Sequence, residues 1–299
     1  MPRTATAAKS ERRRRKPTAP APDPAVAELR QMLEALESLN LPSDDGEPME
    51  NDWHYAQLYV LRQSVYTLWR DRKDYYFGSN MFLYYSSEQA REIIEYVEGR
   101  THRQPRYKGP DFFLVTGVDG TKRRDKWVVW EEGGRYPDLI IELVSPSTEL
   151  KDKHKNLEFY AKVFRTPEYF WYDESKPELA GYRLKLPELE YQPIVPNEKG
   201  WLWSEVLGAY WGVWEGELTQ GRRYRWLRLF DAEGNLVLLD EERLSLAQQQ
   251  LAEAQQQLTE AQQRLAEAEQ RAEQERQRAE AAERRIAELE AELRRLRGG

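Results

Sequence analysis

Cysteine is absent from the 299-residue chain, which removes disulfides, thiolate metal sites and cysteine nucleophiles in one step. Missing too is any apolar run near eighteen residues, and no signal-peptide pattern opens the sequence. A reducing cytoplasm without membrane partners is therefore the expected setting. Neither sign of charge dominates strongly: 45 Lys and Arg against 52 Asp and Glu leave a net charge of -7, which argues against wholesale coating of nucleic acid. That sum averages segments of opposite character, so local charge matters more. At 40% hydrophobic and 32% charged residues, the composition fits one globular domain with polar extensions.

Three parts are expected. Residues 1–26 form a disordered basic arm, with Arg12-Arg13-Arg14-Arg15-Lys16 followed by a Pro- and Ala-rich run. Such an arm can attract phosphate in a salt-dependent way, though a solvated tail is the preferred reading. Residues 27–240 form the folded domain. Residues 241–299 form a coiled-coil tail, because positions 244, 251, 258, 265, 272, 279, 286 and 293 hold Leu, Leu, Leu, Leu, Ala, Ala, Ile and Leu. A second seam three residues on is mostly alanine, broken by Glu275. Two seams at a period of seven specify a left-handed coiled coil, and hence a homo-oligomer of modest affinity. A solitary charged helix is the alternative.

Within the domain, Leu29–Leu39 has helical spacing, a loop follows at Asp44-Asp45-Gly46-Glu47, and a second helix starts at Asp52. His54 lies on that helix and is more naturally a packing residue than a ligand. Aromatic and β-branched runs at Tyr75–Phe77, Met81–Tyr85, Phe112–Val115 and Trp127–Val129 read as strands. A helix over Glu149–Phe164, with Lys151, Lys153 and Lys155 in its first turns, separates Leu139–Val144 from Tyr169–Tyr172 and predicts a parallel pairing of those strands. Ala180–Leu184 reads as a hairpin partner of the second. Tyr224–Phe230 and Asn235–Leu239 read as a closing hairpin, its arginines on a solvated face.

Chemistry concentrates at Tyr136-Pro137-Asp138-Leu139-Ile140-Ile141-Glu142-Leu143-Val144-Ser145. Alternation puts Asp138, Ile140, Glu142 and Val144 on one face of a buried strand. An unpartnered carboxylate there costs several kcal/mol, roughly, so a metal, a cation or a cleft must answer Glu142. Asp111, after a second Pro-Asp, opens a strand that can pair with it. Two such carboxylates can hold Mg²⁺ (or Mn²⁺) and, with a lysine to orient water and neutralise phosphate charge, suit phosphodiester hydrolysis.

Gly109-Pro110-Asp111-Phe112-Phe113, Trp127–Gly134, Pro137–Ser145 and Thr166–Asp173 together resemble the cyanobacterial Uma-two family of the PD-(D/E)XK restriction-endonuclease-like superfamily, over about 45–240. The resemblance implies an α/β fold, a mixed sheet flanked by helices, with Asp111 as the first acid and Glu142 as the second. It departs at the lysine. The superfamily position two residues after the second acid is Val144, and the alternative position four residues before Tyr160 is Asn156. Lys155 or Lys153 would have to reach the site instead. The expected function is a Mg²⁺-dependent DNA endonuclease with Asp111, Glu142, Lys155 and Lys153 as its site. The rivals are a catalytically silent nuclease fold that acts as an oligomerising interaction module, and a DNA-binding regulator working through the arm.

Overall fold

A computed structural model describes residue 31 and residues 52–97, 99–102, 109–145, 149, 151–219 and 222–297. The basic arm, nearly all of the Leu29–Leu39 helix and the Asp44–Glu47 loop lie outside the described residues. Helix α1 (Asp52–Leu68) opens on the acid expected at its start, where a carboxylate meets the positive end of the helix dipole. Eleven strands follow among the described residues. Six of them, β1 (Tyr75–Ser79), β3 (Phe112–Thr116), β5 (Leu139–Leu143), β6 (Glu168–Asp173), β7 (Glu178–Lys185) and β8 (Glu190–Pro193), form one sheet in that spatial order. β5 and β6 run parallel, as the strand–helix–strand pattern requires, and every other neighbouring pair is antiparallel. The fold is therefore α/β with a mixed sheet. A separate two-stranded parallel ladder joins β2 (Leu83–Tyr84) to β4 (Trp127–Val128).

Both faces of the central sheet are covered, so its middle strands read as continuous apolar runs. On one face Phe112, Leu114, Leu139, Ile141, Leu143 and Phe170 pack with α1 and with a small sheet of β9 (Leu202–Ser204), β10 (Ala209–Thr219) and β11 (Arg222–Phe230). Gln57 of α1 holds that small sheet by both amide atoms, donating to Leu227 O at 2.9 Å and accepting from Leu227 N at 3.0 Å. On the opposite face Phe113, Val115, Ile140, Val144 and Trp171 pack with Tyr160, Phe164 and Trp127. Glu142 lies between Ile140 and Val144 and is 4% exposed.

Tyr224–Phe230 meets Asn235–Leu239 as expected, with Asp231 N donating to Asn235 O at 2.8 Å, Val237 N to Leu229 O at 2.9 Å and a bridge from Leu236 to Phe230. Its other edge pairs with Ala209–Thr219, a partner not expected. Three expectations do need correction, the first on Tyr224–Phe230 itself. Its arginines do not all face water: Arg228 is fully buried, donating to Glu242 Oε2 at 2.6 Å and Val237 O at 3.1 Å, with Trp214 5.1 Å away. Helix α2 (Ser87–Val97) interrupts a stretch read as strands only. Ser86 Oγ caps it by accepting from Gln89 N at 3.1 Å, so its Ser-x-x-Gln start was a helix signal. The segment after β5 is not a uniform α-helix either. One α-helical turn, α3 (Asn156–Phe159), lies between π-helical turns at Lys151–Lys155 and Tyr160–Phe164, and Arg165 in the left-handed region ends it before Thr166-Pro167. The chain finishes in α4 (Asp240–Arg297), 58 residues long. Among the described residues no helix is long and apolar enough to cross a membrane.

Candidate active site

The antiparallel register of β3 and β5 pairs Phe112 with Ile141, which carries Asp111 to the level of Glu142. Each acid is then held by the backbone of the other's strand. Asp111 N donates to Glu142 Oε2 at 3.0 Å, and Leu143 N donates to Asp111 Oδ2 at 2.7 Å. Charge-assisted bonds of this kind fix both carboxylates without long, mobile side chains. Asp111 is half-buried while Glu142 is buried.

The far side of Glu142 meets the irregular helix. Tyr160 Oη donates to Glu142 Oε1 at 2.7 Å, and Asn156 Nδ2 donates to the same oxygen at 3.1 Å. With its second hydrogen Asn156 donates to Asp152 Oδ1, also at 3.1 Å, so one neutral amide bridges two buried carboxylates. Tyr169 Oη donates to the Asp152 carbonyl at 2.6 Å. Burial, then the Glu142 charge, pushes the Tyr160 hydroxyl well above the ordinary phenol range. Tyr169 is pushed up by burial and by Glu142 and Asp152. Both phenols therefore stay protonated donors. The π-turns matter here, since such insertions recur at functional sites and these flank the turn that aims Asn156 and Tyr160.

The two expected lysines are not beside this pair in the same way. Lys153 Nζ donates to Glu178 at 2.9 Å and Glu149 at 3.1 Å, and lies 3.5 Å from Asp173 and 4.5 Å from the Trp171 ring centroid. Partial burial lowers its pKa, but the bonds to Glu178 and Glu149 outweigh that and raise it overall. Lys155 is exposed. Val144 packs in the core. His54 Nε2 lies 3.1 Å from Leu143 O, which places the ring proton on Nε2 and ties α1 to the end of the strand that carries Glu142. Asp138, although on the same strand, accepts Thr116 N at 2.6 Å and Thr116 Oγ1 at 2.7 Å, and so locks β5 to β3 away from the site.

Sequence reasoning missed Asp152. Its spacing to Asn156 and Tyr160, four and eight residues, was the available signal, because such positions share one helix face.

A family model described as "Uma2: Putative restriction endonuclease" matches residues 47–219, more than half of the chain. The chain belongs to the Uma2 family. Membership places it among restriction-endonuclease-like proteins, and the Asp111–Glu142 pair lies inside the matched span. No curated protein matches this Uma2 chain. Among solved structures it is similar to one titled a "putative nuclease belonging to DUF820" from Anabaena variabilis, at 14% identity over 59% of this chain and 89% of that one, with a TM-score of 0.37.

Two hard carboxylates from adjacent strands suit a cation that keeps several waters, as Mg²⁺ does. Among the described residues no three His, Asp or Glu side chains gather into a metal-ligating group. The donor type thus fits a two-carboxylate Mg²⁺ or Mn²⁺ site and not an all-protein cage.

Proposed function

We propose that this Uma2 chain is a Mg²⁺- or Mn²⁺-dependent DNA endonuclease, with the ion held by Asp111 and Glu142. The observation that supports it most is the mutual anchoring of those two acids, which holds hard oxygen donors together at a half-buried strand end. A bound divalent ion would supply charge neutralisation at the phosphate and an acidified water. The chain's own contribution is positional: Tyr160 and Asn156 fix the Glu142 carboxylate, and His54 fixes the peptide beside it. Of the two lysines, Lys153 is the better placed to serve phosphate, because Trp171 beneath it pairs in register with Glu142. It would have to leave Glu178, Glu149 and Asp173 to do so. Lys155 would act from solvent, on the approach to the site.

Supercoiled plasmid with Mg²⁺ or Mn²⁺ tests this. Nicking by the wild-type chain and its loss in Glu142→Ala support the assignment, and equal activity in both removes it.

One observation favours a second reading, a catalytically silent fold used as an interaction module. At the two positions where the family resemblance leads one to expect a lysine stand Val144, packed in the core, and Asn156, a neutral amide on Glu142 Oε1. Calorimetric silence toward Mg²⁺, with plasmid left intact, would select it. In either reading α4 oligomerises the chain through its heptad. Leu244, Leu251, Leu258 and Leu265 are each about 60% exposed along a helix of about 87 Å at 1.5 Å per residue.

A further inference from the structure

Helix α1 presents Tyr55, Tyr59 and Tyr66 along one side, four and eleven residues from the first, so they fall on one stripe of the helix. Tyr55 is 70% exposed. Between this stripe and the edge strand β1 runs a groove of about 520 Å³, large enough for a nucleobase, with Arg62 lying 5.0 Å over the Phe77 ring. Gln63 Oε1 and Ser79 Oγ line it, buried and with no hydrogen-bond partner among the described residues. A second hollow shares Arg62, Tyr66 and Phe77 and continues to Arg72, Lys73 and Thr121. Across both, the charged side chains lining the wall among the described residues are Arg62, Arg72 and Lys73, of which Arg72 is paired with Asp74 at 2.9 and 3.1 Å, and Tyr59 Oη donates to Glu241 at 3.4 Å. Asn80 closes the other end, and its N–H donates to the carbonyl of Asp111 at 3.0 Å. The groove thus ends at the backbone of the first acid on the α1 face of the sheet, while the Asp111 and Glu142 side chains lie round the strand end on the opposite face.

Resting on the nuclease reading, we propose that this groove is a binding track for single-stranded DNA, whose strand passes round the end of β1 to reach the Asp111–Glu142 site. Aromatic faces beside cations recognise unstacked bases and backbone phosphate together, with little sequence preference. Tyr55, Tyr59 and Tyr66 take bases, and Arg62 and Lys73 take phosphates. Gln63 Oε1 accepts, and Ser79 Oγ accepts or donates, at base edges, which answers two polar atoms the fold leaves unmatched. Tyr55 to Tyr66 spans about 16 Å along the helix, room for a few nucleotides. A duplex, with its bases stacked inside, offers nothing to the rings. A second copy of this face would bring Arg62 and Lys73 against their own kind.

Fluorescence anisotropy of a labelled oligothymidylate with the full chain in EDTA tests the track without cleavage. The wild type binds it more tightly than a duplex of equal length. Tyr55→Ala weakens it by about tenfold or more. Arg62→Gln and Lys73→Gln each make the slope of log affinity on log salt shallower by about 0.7, at unchanged melting temperature. Variants that bind like the wild type, or a wild type that prefers duplex, overturn the proposal. So does a Tyr55→Arg variant whose sedimentation mass falls while oligonucleotide affinity holds, since a second copy would then fill the groove. Glu142→Ala separates the two readings: it should bind the oligonucleotide as the wild type does and fail to nick plasmid. Groove-dependent binding without any nicking by the wild type sinks the nuclease reading alone. Nicking together with indifference to the groove variants sinks the track alone.

Discussion

Replacing Asn156 by lysine should raise metal-dependent plasmid nicking by about a hundredfold. The amide nitrogen is 3.1 Å from Glu142 Oε1 and 3.1 Å from Asp152 Oδ1, so the position faces two buried carboxylates with a donor that carries no charge. An ammonium there is drawn to both acids and can meet the charge that develops on a transferring phosphate. A single preorganised donor of that kind is worth about 10²–10³ in rate. The substitution lengthens the side chain in a fully buried place under Tyr160 and Tyr169, and overpacking of that order costs about 1–3 kcal/mol. Attraction to two carboxylates opposes this cost, so the melting temperature should move by only a few degrees. First-order nicking rates in Mn²⁺ decide the matter, with Asn156→Leu as a control that removes the amide without adding charge. A folded Asn156→Lys chain that nicks no faster than Asn156→Lys/Glu142→Ala would refute the reasoning.

Two further outcomes are expected. Three buried tyrosines, 160, 169 and 172, and the half-buried Tyr191 have hydroxyl pKa values raised chiefly by burial. The native state then holds protons that the unfolded chain loses near pH 10, so their contribution is intact below that pH and falls as pH rises above it, at about 1.4 kcal/mol per pH unit for each. Urea midpoints taken between pH 9 and 11 should drop steeply, and less steeply in Tyr191→Phe, whose hydroxyl otherwise donates to Thr166 O at 2.8 Å. A flat profile contradicts this. In the tail, Leu251→Glu/Leu258→Glu removes two seam leucines worth about 1.5–3 kcal/mol each when buried, and sedimentation should show a drop to monomer. A wild type that is already monomeric across the concentration range ends the coiled-coil reading.

Period-two and proline-bounded patterns are local, and what they specify was legible: the strand around Glu142, its antiparallel partner after Asp111 and its parallel partner at Glu168–Asp173. The turn of Tyr224–Phe230 onto Asn235–Leu239 was legible, but the partner on its other edge, Ala209–Thr219, was not, because that edge is filled by tertiary packing of the small sheet against α1 through Gln57. Arg228 was misread for a similar reason. Alternation assigns a face, but Glu242, eight residues beyond the expected hairpin turn, supplies the partner that lets an arginine be buried. Of the candidate site, the two acids could be put on neighbouring strands and the lysines only offered as alternatives, since a helical count of 3.6 residues does not hold through π-turns.

Those π-turns bear on what the site can become. With Asp152 hydrogen-bonded to Asn156 and Asn156 to Glu142, the helix offers the strand a row of polar groups in the order acid, amide, phenol. A buried carboxylate held by an amide and a phenol is satisfied in hydrogen bonds and poorly satisfied in charge, because neutral donors contribute less than an ion would. Glu142 Oε1 takes both of those neutral donors, while Oε2 accepts from Asp111 N. In the proposed reading a cation adds most between the two acids. A lysine at position 156 would supply charge from within and relieve part of that demand, which ties the gain in Asn156→Lys nicking to a weaker dependence on metal concentration. Had the amide instead been selected to seal a structural core, the same substitution would lower stability and leave metal dependence where it was.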